Sequence, residues 1–368
     1  MNCLLNIQLT ISYRNIFTTL LTPYFIMNKK KNTRSILTLL ILGLFVITAV
    51  GAYALISPMS NNGKTNYVYI DTDDNVDSVM NKLRPSSKGL SLNVFSVLTT
   101  YTGYGDNIRT GRYAVSPTTS TLQTFRNFRN GMQSPISLVV PSVRTKERLA
   151  EELACRLMFE QEELLDAIND EETCKKYGMD TLTIQCLFIP NTYDVYWNVS
   201  VEKFLDRMKK EYDRFWTTER KNKAEAMGMK QQEVITLASI IDEETANNAE
   251  KPMVAGMYIN RLKINMPLQA DPTIKYAWRR FDLKRIYHKL LFIESPYNTY
   301  RNTGLPPGPI RIPSIAGIDA VLNHVNHEYI YMCAKEDFSG THNFAATYAE
   351  HLKNAKKYTD ALNNRGIK

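Results

Sequence analysis

Leu237-Ala238-Ser239-Ile240-Ile241-Asp242-Glu243-Glu244-Thr245 places a carboxylate on an apolar helix face. At roughly 100° per residue, Leu237, Ile240, Ile241 and Glu244 fall on one side of the helix, while Asp242 and Glu243 point elsewhere. A carboxylate on that buried stripe loses hydration, which disfavours its charged form and raises its pKa. Glu244 is then suited to hold a proton near neutral pH and to pass it to a leaving oxygen. The same position also suits a glutamate at the edge of an amphipathic helix paired with a basic residue such as Arg261. The helix alone leaves both readings open.

Polar, proline-rich segments follow. Asn260-Arg261-Leu262 leads to Pro267-Leu268-Gln269-Ala270-Asp271-Pro272-Thr273 and Tyr276, then to Ser295-Pro296-Tyr297-Asn298-Thr299-Tyr300, and then to Gly304-Leu305-Pro306-Pro307-Gly308-Pro309-Ile310. In this order these segments resemble the YceG-like endolytic murein transglycosylase (MltG) family. The resemblance covers roughly the last two-thirds of the chain and is strongest over residues 237–310. It implies an enzyme that cuts peptidoglycan glycan strands internally, with Glu244 at the family's catalytic glutamate. His342-Asn343-Phe344 resembles the family's His-x-Phe element. Phe188-Ile189-Pro190-Asn191-Thr192-Tyr193 resembles its Pro-Asp-Thr-Tyr element, with Asn191 in place of the usual aspartate and Gln185-Cys186 in place of Glu-Gly. Asn191 keeps hydrogen-bonding capacity but carries no charge.

The N-terminal region reads as a membrane anchor. Ile36 to Ile56 is free of charge and as a helix spans ~30 Å, the thickness of a bilayer core. Lys29, Lys30, Lys31 and Arg34 precede it and only Lys64 follows closely, which places the N-terminus in the cytoplasm and the remainder outside. The expectation is a single-pass protein of the cell (inner) membrane with its catalytic domain in the periplasm or other extracytoplasmic space. A cleaved signal peptide ending near Gly51-Ala52-Tyr53-Ala54 is the poorer reading. Residues 1–26 carry one charge, Arg14, and Met27-Asn28-Lys29-Lys30-Lys31 has the form of a start, so Met27 is the expected initiator.

The net charge of +8 and pI near 9.0 suit an anionic polymer or a membrane surface. No basic run with interleaved aromatics marks a nucleic-acid groove. The five histidines and five cysteines match no metal-ligand spacing, and no cofactor is expected. Cys155, Cys174, Cys186 and Cys333 read as buried free thiols, while an oxidising compartment permits a disulfide and the four allow three complete pairings. Aromatic rings stack on sugar faces, and of the twenty-one tyrosines most are expected in the core or at interfaces, with some available to a glycan.

The expected fold is α+β: a transmembrane helix at 35–57, a small subdomain at 65–134 and a larger mixed domain at 135–363, preceded by a cytoplasmic stretch at 1–34. The small subdomain reads as strand 67–70, helix 76–83 capped within Asp71–Asn75, helix 90–99, strand 111–115 and helix 121–130 ending at Gly131. That order resembles the LysM-like subdomain of the same family, which implies glycan binding. In the larger domain a strand at 135–140 and a helix at 146–159 precede a solvated helical pair at 160–176. A long charged helix at 201–226 is expected to face solvent.

Hydrolysis of a glycosidic bond normally needs two carboxylates, whereas a lytic transglycosylase manages with one. The resemblance implies that Glu244 protonates the oxygen between MurNAc and GlcNAc and then takes the proton of the sugar's own C6 hydroxyl, leaving a 1,6-anhydro end. Gln269, Asp271, Tyr297, Asn298 and Tyr300 offer groups to bind sugar hydroxyls and acetamides. Asp271 reads equally well as the N-cap of a helix with Pro272 in its first turn. Gly304 to Pro309 reads as a rigid turn that also walls the groove. Ser295 lacks the companions of a serine nucleophile. The competing functions are a lysozyme-type hydrolase using Asp271 or Asp242 as second carboxylate, and a non-catalytic peptidoglycan-binding envelope protein. Peptidoglycan glycan strands and the plasma membrane are the expected partners. By family analogy the protein works beside peptidoglycan synthases and elongation or division proteins.

Overall fold

The computed structural model describes residues 33–283 and 285–365; Met27 lies outside the described residues. Helix α1 (Thr33–Ile56) contains an apolar stretch, Thr38–Ile56, of mean hydropathy 2.6 that is long enough to cross a bilayer. Only 6% of that stretch is packed against protein, so it is not the core helix of a soluble domain. The chain then forms two compact units. One comprises residues up to 68, 72–109 and 114–132, and the other 69–71, 110–113 and 133 onward.

After α1 the chain makes an ordered turn. Ser60 Oγ donates to the Lys64 carbonyl at 2.8 Å and the Asn61 side-chain amide to the Pro85 carbonyl at 2.9 Å. Strand β1 (Asn66–Ile70) pairs with β2 (Gly111–Val115). Helix α2 (Val76–Leu83) starts on Asn75, whose Oδ1 accepts from Ser78 N at 2.9 Å while Ser78 Oγ accepts from Asn75 N at 2.8 Å. Helices α3 (Gly89–Tyr101) and α4 (Thr121–Asn130) follow, and α4 ends at Gly131 in the left-handed conformation, φ 70°. Phe95 of α3 meets Phe125 and Phe128 of α4 edge-on at 5.2 and 5.6 Å, a ring cluster at the centre of this unit.

In the larger unit β3 (Ile136–Val140) pairs antiparallel with β4 (Asn191–Val195), setting Ile136 opposite Val195 and Val140 opposite Asn191. The period-two pattern sends Leu138, Val140, Tyr193 and Val195 into the core and leaves Val139 and Asp194 outside. Helix α5 (Lys146–Ala154) is shorter than expected, because Leu157 and Phe159 are drawn into the core by irregular chain. Helices α6 (Gln161–Asn169) and α7 (Glu171–Lys176) form the acidic-then-basic pair and share Asp170, whose Oδ2 caps Thr173 N at 2.7 Å. The single long helix expected over 201–226 is instead α8 (Val201–Phe215) and α9 (Thr218–Ala226). Trp216 is buried at the break, and Thr217 caps the second helix through Arg220 N. Nor does α8 simply face solvent: Phe204, Leu205, Met208 and Tyr212 lie in the core, and Glu211 is buried beside them.

Helix α10 (Gln231–Glu244) is the hub, with every residue from Val234 to Ile241 buried. Around it lie α11 (Lys251–Lys263), α12 (Asp271–Ala277) and α13 (Ile315–Leu322). Strands β5 (Tyr331–Ala334) and β6 (His342–Ala345) pair antiparallel and carry α14 (Tyr348–Asn364). The whole is α+β.

Candidate active site

The last turn of α10 carries three successive carboxylates, each with a different role. Asp242 is almost fully buried and meets Lys251 Nζ, also buried, at 2.7 Å. It also accepts from Ser314 N and from Ser314 Oγ, fastening α10 to the start of α13. Glu243 is held by Arg144, Nε to Oε1 at 2.8 Å and Nη2 to Oε2 at 2.9 Å, and by Arg311 Nη1 at 2.9 Å. Both side chains are occupied in structural ion pairs. Glu244 is not. It stands at the helix end, where Thr245 leaves the helical conformation.

Tyr258, buried on α11, donates its hydroxyl to Glu244 Oε1 at 2.6 Å. Loss of hydration pushes the Glu244 pKa up to about 7; the Tyr258 hydrogen bond pulls it down, the nearby Asp271 charge pushes it up, and Arg261 and Lys275 pull it down. The alternative reading of a Glu244–Arg261 ion pair is not met. Arg261 Nε and Nη1 instead donate to the backbone carbonyls of Ile330 and Leu268, each at 2.6 Å. Its charge reaches Glu244 only at longer range.

The five candidate substrate-binding residues separate into two groups. Asp271 is exposed and accepts from the Tyr300 hydroxyl; Tyr300 is partly buried, and its pKa is raised by burial and by that bond. Asp271 is not an N-cap: Ala270 occupies that position and no side chain caps the helix, so the Asp271 carboxylate remains at the site. Gln269 is exposed and held at φ 49°, a left-handed conformation unusual for a residue with a Cβ. Its N–H donates to the Thr299 carbonyl at 3.0 Å, which fixes the backbone and leaves the side chain outward.

Tyr297 and Asn298 belong elsewhere. The Tyr297 ring is buried against Tyr276, centroids 4.8 Å apart. Asn298 is fully buried; its amide donates to the Leu291 and Ile293 carbonyls at 2.8 Å each, and its Oδ1 accepts from Tyr300 N at 3.0 Å. These two residues shape the loop that presents Tyr300 and do not face a ligand. Ser295 Oγ accepts from Tyr297 N within the same turn.

The Gly304–Pro309 segment is bound to α10 through Ile310 N, which donates to Ser239 Oγ at 3.0 Å. Gly308 is required by contact, since a Cβ there would lie 2.3 Å from the Leu182 carbonyl. The segment does wall a cleft, of about 570 Å³, with Met227, Gln232, Thr236, Ile259 and Leu262. Glu244 is not among the lining residues and lies two turns further along α10. His342 N donates to Glu250 Oε1 at 2.6 Å and His342 Nδ1 lies 3.1 Å from Glu250 Oε2. Asn191 opens β4 and bonds its own neighbour, Thr192 N, at 2.8 Å. Cys155, Cys174, Cys186 and Cys333 are free thiols, the second and third buried. Tyr258 was not singled out from the sequence. Its only signal is its place one turn before Arg261 on the next helix.

The YceG-like family profile matches residues 68–357. The chain belongs to the YceG-like family. It is 27% identical over 329 residues to the endolytic murein transglycosylase of Bacillus subtilis (strain 168), spanning 85% of this chain and 90% of that protein. It is 25% identical over 341 residues to the endolytic murein transglycosylase of Streptococcus pneumoniae serotype 2, spanning 83% of this chain but 60% of that longer protein. A crystal structure of a YceG-like protein from Listeria monocytogenes has the same fold, with a TM-score of 0.52, 26% identity, and coverage of 79% of this chain and 98% of that one.

Proposed function

We infer that this YceG-like protein is a lytic transglycosylase that cleaves MurNAc–GlcNAc bonds within peptidoglycan glycan strands, with Glu244 as its acid and base. The observation that carries the reading is one carboxyl group at a helix end, stripped of hydration, whose pKa stands near 7 and whose Oε1 is fixed by Tyr258. Near neutral pH such a group is protonated in a large fraction of molecules and gives its proton to the glycosidic oxygen as the C1–O bond breaks. As a carboxylate it then removes the proton of the C6 hydroxyl, O6 bonds to C1, and a 1,6-anhydroMurNAc end results. No water is consumed. Because Tyr258 occupies Oε1, Oε2 is the oxygen left to exchange the proton. Gln269, Asp271 and Tyr300, at the open edge, bind sugar hydroxyls and acetamides.

One observation favours a second reading. The Asp271 charge is felt at Glu244, as expected for the second carboxylate of a hydrolase. Asp242 is excluded from that role by its buried pairing with Lys251. Digestion of purified sacculi followed by mass spectrometry separates the two readings. Anhydro products are expected, and mainly water-added products overturn the transglycosylase. Glu244→Gln keeps the shape and hydrogen bonds but holds no titratable proton, so cleavage falls by ~10²-fold or more.

Residues 35–57 anchor the chain in the cell membrane with its N-terminus inside, residues 65–134 act as a LysM-like glycan-holding module, and residues 135–363 cleave. Anchoring confines cutting to nascent strands near the bilayer. The protein thereby limits strand length beside the synthases that extend them.

A further inference from the structure

Helix α3 of the first unit has no charged residue, and none occurs anywhere between Lys88 and Asp106. One face, with Ser91, Leu92, Phe95 and Thr99, is buried in the unit's core. On another face Leu90, Val97 and Tyr101 are exposed, with the partly buried Val94 between them. The spacing i, i+4, i+7, i+11 makes them one stripe about three turns long. Tyr101 is 85% exposed. The exposed residues beside the stripe, Asn93 and Thr100, are polar but uncharged; a helix facing only water carries charged side chains on its outer face, and an uncharged outer face with an apolar stripe suits contact with protein or lipid.

The neighbouring helix α1 indicates which. Ala54 lies within the membrane-length apolar stretch yet is fully buried, where α3 and α4 pack against α1. Three further bonds close the junction. Thr121 donates both its N–H, at 2.9 Å, and its Oγ1, at 3.1 Å, to the Ser57 carbonyl, and Lys88 N donates to the Met59 carbonyl at 2.9 Å. The last turn of α1 is therefore part of this unit's core, and the unit begins at the depth at which the apolar stretch ends. Tyr53, exposed on α1 at the same level, has the amphipathic ring typical of a membrane–water boundary.

We propose that the stripe Leu90, Val94, Val97 and Tyr101 lies in the outer membrane–water interface, with its side chains against lipid. This rests on reading α1 as a membrane span. The stripe and α1 together then hold the first unit at a fixed attitude on the bilayer, which a single helix followed by a loose tether does not do.

Site-directed spin labelling of the full chain in nanodiscs of phosphatidylcholine and phosphatidylglycerol tests it. In a background of Cys3→Ser, Cys155→Ser and Cys333→Ser, a nitroxide is placed at Val97→Cys, with Val46→Cys in mid-α1 and Glu162→Cys on the larger unit as references. All three positions are exposed side chains, so the fold tolerates the label. The Val97 label is expected to be relaxed by oxygen, which concentrates in lipid, and to be ~5-fold less accessible to a water-soluble nickel chelate than the Glu162 label. Nickel access equal to that at Glu162, with the Val46 label still in lipid, overturns the interfacial helix and leaves the anchor standing. A Val46 label in water overturns the anchor itself. An immobilised Val97 label shielded from both reagents indicates a protein covering the stripe and equally overturns the proposal.

Discussion

Glu244, Asp242 and Glu243 are adjacent and chemically alike, yet Asp242 and Glu243 are held in ion pairs by Lys251 and by Arg144 with Arg311, while loss of hydration pushes the Glu244 pKa up to about 7. A general acid must be protonated before it acts, so kcat/KM on glycan strands is expected to fall as pH rises through about 7. Stability changes in the same window. The unfolded chain releases the Glu244 proton near 4.5 and the folded chain near 7, so the folded state is favoured fully below 4.5 and loses up to about 3 kcal/mol as pH rises between those values. Denaturant titrations at pH 5 and pH 8 should show that decline in the native chain and its absence in Glu244→Gln. Tyr258→Phe keeps the buried ring but removes the hydroxyl that favours the ionised carboxylate. The Glu244 pKa then rises, the alkaline limb of the pH–rate profile moves to higher pH, and kcat drops about tenfold, the scale of one hydrogen bond to a charged group. A profile unmoved by Tyr258→Phe would remove Tyr258 from the site. The Tyr258 contact was not legible in the sequence because it joins residues on different helices, and no local periodicity records where a second helix crosses.

Among the elements, the break between α8 and α9 shows how packing overrides a continuous helical pattern. The sequence from Val201 to Ala226 contains no proline or glycine, but burying Trp216 requires the chain to turn, and Thr217 is able to cap a new start. The three helices that hold Glu244 depend on one buried ion pair. Lys251→Met leaves the Asp242 carboxylate buried with only Ser314 as partner, and is expected to lower stability by about 3–5 kcal/mol. Adding Asp242→Asn should recover most of it, because the uncompensated charge is then gone. Thermal melts of the two variants check this, and a melting temperature for Lys251→Met within a degree of the native value refutes it. Gln269 illustrates the opposite case, in which a left-handed backbone is tolerated beside the candidate site because the Thr299 carbonyl fixes it.

At the scale of the whole molecule, the proposed anchoring by α1 would limit cutting to glycan close to the bilayer, so absence of the protein should lengthen strands as they are made. Chain-length analysis of glycan from cells lacking the protein should show a shift to longer strands, restored by the native chain and not by Glu244→Gln. An unchanged distribution would count against a strand-limiting role. The segment Asn61–Lys64 bears on the tether itself. The Ser60 hydroxyl and the Asn61 side-chain amide bond to the Lys64 and Pro85 carbonyls, so this segment continues the fold directly from the membrane-length helix.

The sequence alone determined whatever depends on near neighbours: the apolar length of α1, the helix that presents Glu244, the capped start of α2, the glycine stop of α4 and the strand β3. Periodicity, caps and charge runs act within a few residues, and that information lies along the chain. Only the tertiary structure decided which of three consecutive carboxylates stays free, that Tyr297 and Asn298 face inward, and that Tyr258 grips Glu244. Those outcomes follow from desolvation and hydrogen-bond satisfaction, which are fixed by atoms brought together from distant parts of the sequence.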